Sequence, residues 1–176
     1  MNDLVVRPAV AADMPAVQAI YGHHVRYGLA SFEDEPPSVE EIARRWQEVT
    51  AKGFPYFVAE QGGEVLGYAY AGPYRTRPAY RYTVENSVYV REGLQQRGVG
   101  QAVMRVVLAE CEARGYRQMI AVIGDSANHG SIRLHERLGF RRVGVLTAVG
   151  FKFGRWIDSV LMQRELGPGA STPPTS

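Results

Sequence analysis

The sequence predicts an α/β (α+β) fold, a mixed seven-stranded sheet with helices on both faces. Three observations lead there. The apolar pattern switches between strand-length β-branched runs and stretches with helical spacing, in the order β-α-α-β-β-β-α-β-α-β-β. Val84 to Arg114 joins a strand, a polar turn and a helix opened by Gly98 and Gly100; Val99, Val103, Val106 and Val107 keep the spacing of one buried helical face. Finally, 176 residues with 45% hydrophobic content give one domain enough chain for a core without disulfides.

The elements follow in order. Leu4 to Arg7 reads as a short strand closed by Pro8. Asp13 is a candidate N-cap with Pro15 in the first turn, and Val17, Ile20 and Tyr21 mark a helix to about Tyr27. Pro36-Pro37 precede a second helix, with Ser38 and Glu41 spaced as a capping box, Val39, Ile42, Ala43, Trp46 and Val49 on its apolar face, and Gly53 at its end. Tyr56–Glu60 and Val65–Tyr70 flank Gly62-Gly63 as a hairpin. A loop from Pro73 to Pro78 leads to a strand from Tyr80 to Val90. After the Gly-opened helix, Gly115 is a stop, Met119–Ile123 a buried strand and Asn128–Leu138 a short helix. Strands from Arg141 to Val149 and from about Trp156 to Leu166 surround a turn containing Gly150 and Gly154. The domain is expected to span residues 1–166, and the Pro/Ser/Thr/Gly-rich segment 167–176 is expected to be a disordered tail.

The formal net charge of +2 has both signs interspersed, and no basic tract points to nucleic acid. No basic N-terminal region runs into an apolar one, and no apolar stretch is long enough to span a membrane. The single cysteine, Cys111, cannot form an internal disulfide, which fits a reducing compartment; a cytoplasmic location is expected. His23 and His24 are adjacent and diverge on a helix, so they read as partly exposed histidines rather than as metal ligands; no metal is expected.

Glycines at a helix N-terminus let a ligand approach the backbone, and free N–H groups with the helix dipole suit a phosphate anion. A P-loop is excluded because Gly100 is followed by Gln101 and Ala102 rather than Lys-Ser/Thr. The dinucleotide fingerprint is excluded because Val103 stands where Gly or Ala is needed. What remains is Gln95-x-x-Gly98-x-Gly100 after Val88-Tyr89-Val90, which resembles the pyrophosphate-binding turn of the GNAT acyl-CoA N-acyltransferases. Asn128 with Leu134, Leu138, Gly139 and Phe140 resembles a second landmark of that superfamily, on the helix beside the CoA arm. The superfamily often has tyrosine three residues before Leu138; this chain has His135.

Four runs resemble one subfamily, the phosphinothricin and methionine sulfoximine/sulfone N-acetyltransferases: Gly72–Arg75 with Tyr82–Val90, Ala121–Gly124, Leu134–Glu136 with Gly139-Phe140, and Val149–Trp156 with Asp158. The resemblance implies the GNAT fold, acetyl-CoA as cosubstrate, a small-molecule amine acceptor and a cytoplasmic homodimer. It places the cosubstrate on Val88, Tyr89, Val90, Gln95, Gln96, Arg97, Gly98, Val99, Gly100, Gln101 and Asn128. Asn128 also reads as an N-cap, and both roles can hold.

Acetylating an amine requires removing its proton, and Glu85 is the candidate base; a strand carboxylate in a salt bridge is the competing assignment. A backbone N–H from Val88 to Val90 is the candidate oxyanion donor. His135 is a candidate acid for the leaving thiolate, against a structural helical histidine. Arg75 and Arg77 suit an acidic substrate, against exposed loop arginines, with Tyr74 and Tyr80 beside them. Asn86 and Ser87 flank the base, and Lys152 and Phe153 are candidates for shaping the pocket. The competing activities are acetylation of a polyamine, a peptide N-terminus or an antibiotic, and non-catalytic acyl-CoA sensing, which would need the glycine turn but not Glu85.

Overall fold

The computed structural model describes residues 3–175. Strand β1 (Val5–Pro8) leads into helices α1 (Met14–Tyr27) and α2 (Val39–Ala51), followed by β2 (Tyr56–Gln61), β3 (Glu64–Pro73) and β4 (Thr83–Val90). Helix α3 (Val99–Ala113), β5 (Gln118–Gly124), α4 (His129–Arg137), β6 (Arg141–Lys152) and β7 (Arg155–Glu165) complete the chain. The strands form one sheet in the order β1-β2-β3-β4-β5-β7-β6. Its one parallel pair is β4 with β5. The predicted element order and the mixed seven-stranded sheet therefore hold.

Two apolar layers sandwich the sheet. On one face, Met14, Val17 and Ile20 of α1 and Ile42 of α2 pack on Tyr56, Val58 and Tyr68. On the other, Val99, Val103, Met104, Val107 and Leu108 of α3, with Ile132 of α4, pack on Ala69, Val84 and Met119. The helical spacing read from the sequence is what turns these stripes inward.

Several boundaries differ from expectation. Residues Pro78–Tyr80 form a 3-10 turn, so β4 starts at Thr83. Asp13 does not cap α1; its carboxylate accepts from Val10 N at 2.8 Å and pairs with Arg7 at 2.8 Å. Ser38 does cap α2, accepting from Glu41 N at 3.1 Å, but Glu41 turns to Arg44 and Arg45 instead of closing the box. Strand β6 runs through Gly150 to Lys152, so the hairpin turn is Phe153-Gly154, with φ of 51° and 73°. Gly150 is required for close packing: a Cβ there would lie 2.6 Å from the Phe32 ring. The segment after Glu165 follows the domain in turns, and Arg117 donates to the carbonyls of Gly169, Thr172 and Pro173.

The sheet splits in its middle. Strand β4 pairs with β5 only from Thr83 to Glu85, against Gln118 to Ile120. Beyond this, β4 continues to Val90 and β5 to Gly124 without pairing to each other. The loop after α1 is drawn over this split by Lys152, which is 4% exposed. Its ammonium donates to the carbonyls of Val25 at 2.8 Å, Gly28 at 3.1 Å and Ser31 at 2.8 Å. Two of these lie at or just beyond the end of α1, where helix carbonyls lack partners and the dipole favours a cation. Phe32 completes the strap, fitting against both Gly124 and Gly150.

Lys152→Met keeps a similar length but orphans the buried carbonyls. It should lower unfolding free energy by about 1.5–3 kcal/mol, the range for a lost charged hydrogen bond. Chemical denaturation measures this, and an unchanged midpoint and slope would remove Lys152 from the strap.

Candidate active site

The split opens a cleft of about 670 Å³, lined from β4 by Val88, Tyr89 and Val90 and from the following turn by Gln95, Gln96, Gly98, Gly100 and Gln101. Helix α4 contributes Asn128, Ser131 and Leu134, and the end of α1 contributes His24 and Tyr27. The first chain-direction bond of α3 is Ala102 N to Gly98 O at 2.9 Å, so the N–H groups of Val99, Gly100 and Gln101 have no partner within the helix.

The two glycines serve different physical needs. Gly98 is the N-cap with φ of 83°, a conformation that side chains with a Cβ adopt only with strain. Gly100 lets α3 approach its neighbours: a Cβ there would lie 3.2 Å from Leu134 and 3.3 Å from Val90. Among the remaining predicted turn residues, Val99 is buried in the core and Arg97 is exposed; neither side chain lines the cleft. Gln95 steadies the turn by accepting from Gly93 N at 2.9 Å. A left-handed cap, free N–H groups and an open floor fit an anionic diphosphate group.

Asn128 caps α4, accepting from Ser131 N at 3.2 Å, while its amide donates to Gly124 O at 3.1 Å. It still faces the cleft, so the two readings of this residue are compatible. His24, read from the sequence only as a partly exposed histidine, donates from Nε2 to Val90 O at 2.8 Å and ties α1 to the free edge of β4. Its adjacency to His23 hid that role.

Side-chain alternation along β4 separates the other candidates. Asn86 is buried on the α3–α4 side, its amide donating to His135 Nε2 at 3.0 Å. His135 Nδ1 donates to Ser131 O at 2.8 Å. The ring is therefore the Nδ1–H tautomer, and burial holds its pKa below the ordinary histidine value. Its single N–H is committed to a backbone carbonyl, so the expected acid role finds no available proton. Asn86, expected to flank the base at the substrate, faces the opposite side of the strand.

Glu85, Ser87 and Tyr89 share the α1–α2 side. Glu85 stands at the last paired position of β4, opposite Gly72 of β3 and Ile120 of β5. Among the described residues nothing bonds to or pairs with its carboxylate, and burial alone raises its pKa above the ordinary value. The salt-bridge alternative is thus not realised.

Lys152 is enclosed by its own chain and shapes the cleft only through the strap, while Phe153 is exposed at the hairpin tip. Arg75 lies over the rings of Tyr74 and Tyr80, at 5.3 and 5.9 Å. Arg75 and Arg77 are exposed, and neither they nor Tyr74 line the cleft. A second cavity of about 450 Å³ adjoins it, sharing Ala30 and Tyr89 and walled by Tyr21, Tyr56, Tyr68 and Tyr70. Sequence reading placed Tyr21 in the first helix and Tyr56, Tyr68 and Tyr70 in strands; the period-two spacing of Tyr68 and Tyr70 was the available signal.

This arrangement agrees with what the chain resembles. Residues 17–140 match the acetyltransferase (GNAT) family. A phosphinothricin N-acetyltransferase of Alcaligenes faecalis is 52% identical over 162 residues, covering 92% of this chain and 82% of that protein. An L-methionine sulfoximine/L-methionine sulfone acetyltransferase of Pseudomonas aeruginosa is 40% identical, covering 96% of this chain and 98% of that one. The solved structure of a phosphinothricin acetyltransferase from Sinorhizobium meliloti, in complex with acetyl-CoA, superimposes with a TM-score of 0.94 at 45% identity, covering 98% of this chain and 94% of that one. With the divided sheet, the glycine turn and these likenesses in agreement, the chain belongs to the acetyltransferase (GNAT) family.

Proposed function

We propose that this protein transfers the acetyl group of acetyl-CoA to the α-amine of an amino acid or analogue, such as phosphinothricin or methionine sulfoximine or sulfone, with Glu85 as general base. The observation that carries this reading is Glu85 itself, a half-buried carboxylate without a partner on the strand whose later residues, Val88 to Val90, line the cleft. An unpaired carboxylate at such a position costs stability and has no structural return. The names of the relatives support an amino-acid acceptor.

Acetyl-CoA supplies an activated acyl group and a thiolate leaving group. The free N–H groups at the start of α3 hold the diphosphate, and the unpaired edge of β4 offers backbone groups to the pantetheine arm and the thioester oxygen. A peptide α-ammonium has a pKa of about 8 and a free amino acid's is higher; each unit between that and the working pH costs about 1.4 kcal/mol, so a base is needed. Glu85 takes that proton directly or through one water. His135 stays neutral and braces Asn86 on the far side, and solvent in the open cleft protonates the leaving thiolate. Arg75 begins three residues beyond Gly72, the strand partner of Glu85, and serves the acceptor's carboxylate; Arg77 lies in the same loop.

A homodimer belongs to the same reading. Strand β6 is a sheet edge with Val143, Val145, Leu146, Val149 and Phe151 exposed, and Phe153 and Trp156 extend this apolar surface at the hairpin. Trp156 is 69% exposed. Such an edge invites a second copy. A cytoplasmic location fits the buried, unpaired Cys111; among the described residues no helix is long and apolar enough to cross a membrane.

Glu85→Gln should bind acetyl-CoA normally and lose kcat by about 10²–10⁴ at neutral pH, with the loss shrinking at high pH as the amine deprotonates unaided. A base works only when ionised, so the acidic limb of kcat/KM should lie above the ordinary carboxylate value of 4.5, because burial raises the Glu85 pKa. That limb should vanish in Glu85→Gln and persist in His135→Asn. Thiol release from acetyl-CoA with an amino-acid panel measures all three; parental rates in Glu85→Gln across the pH range would make Glu85 structural.

Gly98→Val places a β-branched residue at a left-handed φ and narrows the diphosphate site. Calorimetry should show acetyl-CoA affinity falling about tenfold or more, from a backbone strain on the order of 1–3 kcal/mol. Unchanged affinity would remove the turn from the site.

For the assembly, light scattering at micromolar concentration should report a dimer for the parental protein and a monomer for Phe151→Lys/Trp156→Lys. A fully active parental monomer would contradict the dimer.

A further inference from the structure

We infer that His24 is a positioning residue for acetyl-CoA: with His23 beside it, it clasps the entry of the cosubstrate turn from α1 and holds that turn in the shape the diphosphate needs. The inference rests on the acetyl-CoA reading above and deepens it.

The turn is one that the chain resists. Between Val90 and the start of α3, Gly93 and Gly98 hold φ of 79° and 83°, and Gln96, which has a Cβ, holds 65°. A non-glycine residue stays in the left-handed region only where its surroundings over-determine the backbone. Among the described residues, Leu94 N bonds to Arg91 O at 3.1 Å, Arg97 N to Leu94 O at 3.4 Å and Gly93 N to Gln95 Oε1 at 2.9 Å. These bonds stay inside the turn. Its polar ties to other elements are made at its entry, where it leaves the sheet.

That entry is a single peptide group held at both ends. Arg91 N donates to Leu66 O of β3 at 2.8 Å, and on the other side of the same peptide plane Val90 O accepts from His24 Nε2 at 2.8 Å. A carbonyl only accepts, so the His24 proton is on Nε2; burial lowers the ring's pKa and keeps it neutral. The ring also packs beside Tyr89, with centroids 5.4 Å apart. His23 holds the turn a little further on: its Nε2 lies 3.0 Å from a Glu92 carboxylate oxygen. Adjacent helical side chains diverge. The two rings therefore grip Val90 and Glu92 from different sides, His24 in the acyl-CoA cleft and His23 in a separate hollow with Glu64 and Arg91.

Exposure ranks the two histidines. The His24 bond is part-buried, whereas Glu92 is 67% exposed, and an exposed ion pair contributes little. His24 therefore carries most of the clasp. A turn fixed before the ligand arrives does not have to be ordered on binding, which raises affinity. The effect is confined to the cosubstrate. Gln96, Gly98 and the free N–H groups of α3 follow the clasped peptide, while Glu85 lies in the paired part of β4.

The test measures acetyl-CoA affinity by calorimetry, well below the unfolding transition, with kcat and KM from thiol release. His24→Phe keeps a ring beside Tyr89 and removes the donor; His24→Gln keeps an N–H donor. His24→Phe should weaken acetyl-CoA binding and raise its KM by about three- to tenfold, the range for a lost neutral hydrogen bond. The saturated kcat and the KM of the amine should hold. His24→Gln should recover most of the affinity, and Glu92→Ala should lose about two- to threefold. A purely structural histidine would lower the unfolding midpoint and leave affinity and KM unchanged, which would overturn the inference. So would a His24→Gln variant that binds no better than His24→Phe. If His24→Phe does not fold, parental affinity in Glu92→Ala overturns the clasp. A parental protein that binds no acetyl-CoA would overturn the cosubstrate reading and this inference with it, whereas parental affinity in all the variants would overturn the inference alone.

Discussion

Everything distinctive about this molecule follows from the early end of the β4–β5 ladder. A parallel pair that stops at Glu85 leaves the rest of β4 with an unpaired edge inside the protein. Buried backbone groups need partners, so this edge is either a defect or a place for a ligand. His24 satisfies one carbonyl, that of Val90, and the remaining edge faces the cleft. The same divergence brings the free N–H groups of α3, the cap of α4 and the loop after α1 to one opening. Glu85 sits where pairing ends, on the α1–α2 face of the strand whose later residues line the cleft.

Alternation along β4 then sorts chemistry from support. Glu85, Ser87 and Tyr89 face the α1–α2 layer, where the unpaired carboxylate and the tyrosine-walled cavity lie. Asn86 faces the α3–α4 layer, where its bond to His135 stiffens the back of the site. A shift of one residue in register would exchange these sets. The position where relatives in the superfamily often carry tyrosine is filled here by a histidine whose two ring nitrogens are both engaged in structure.

The strap made by Lys152 and Phe32 connects this site to the far edge of the sheet. Lys152 holds the segment that walls both cavities, and it is the next residue after Phe151 on the apolar edge. A buried ammonium is costly unless its bonds are complete; here three carbonyls surround it. The proposed dimer surface is thus mechanically continuous with the segment that walls both cavities.

Local residue chemistry was enough for the element order, the hairpin at Gly62-Gly63 and the helix opened at Gly98, because these depend on periodicity and turn propensity within a short span of chain. The family was legible for the same reason: its motifs are contiguous runs around the cosubstrate turn. What only the tertiary structure decided depends on groups far apart in sequence. Lys152 meets carbonyls more than 120 residues away, His135 is closed by Asn86 from another element, and Tyr56, Tyr68, Tyr70 and Tyr89 wall one cavity only when three strands align. Gly100 reads as a ligand contact from its neighbours in the chain, yet its packing against Leu134 and Val90 exists only after α3 and α4 dock on β4. Sequence specifies what each residue can do locally; burial and partners, which set its proton and its role, are properties of the folded contacts.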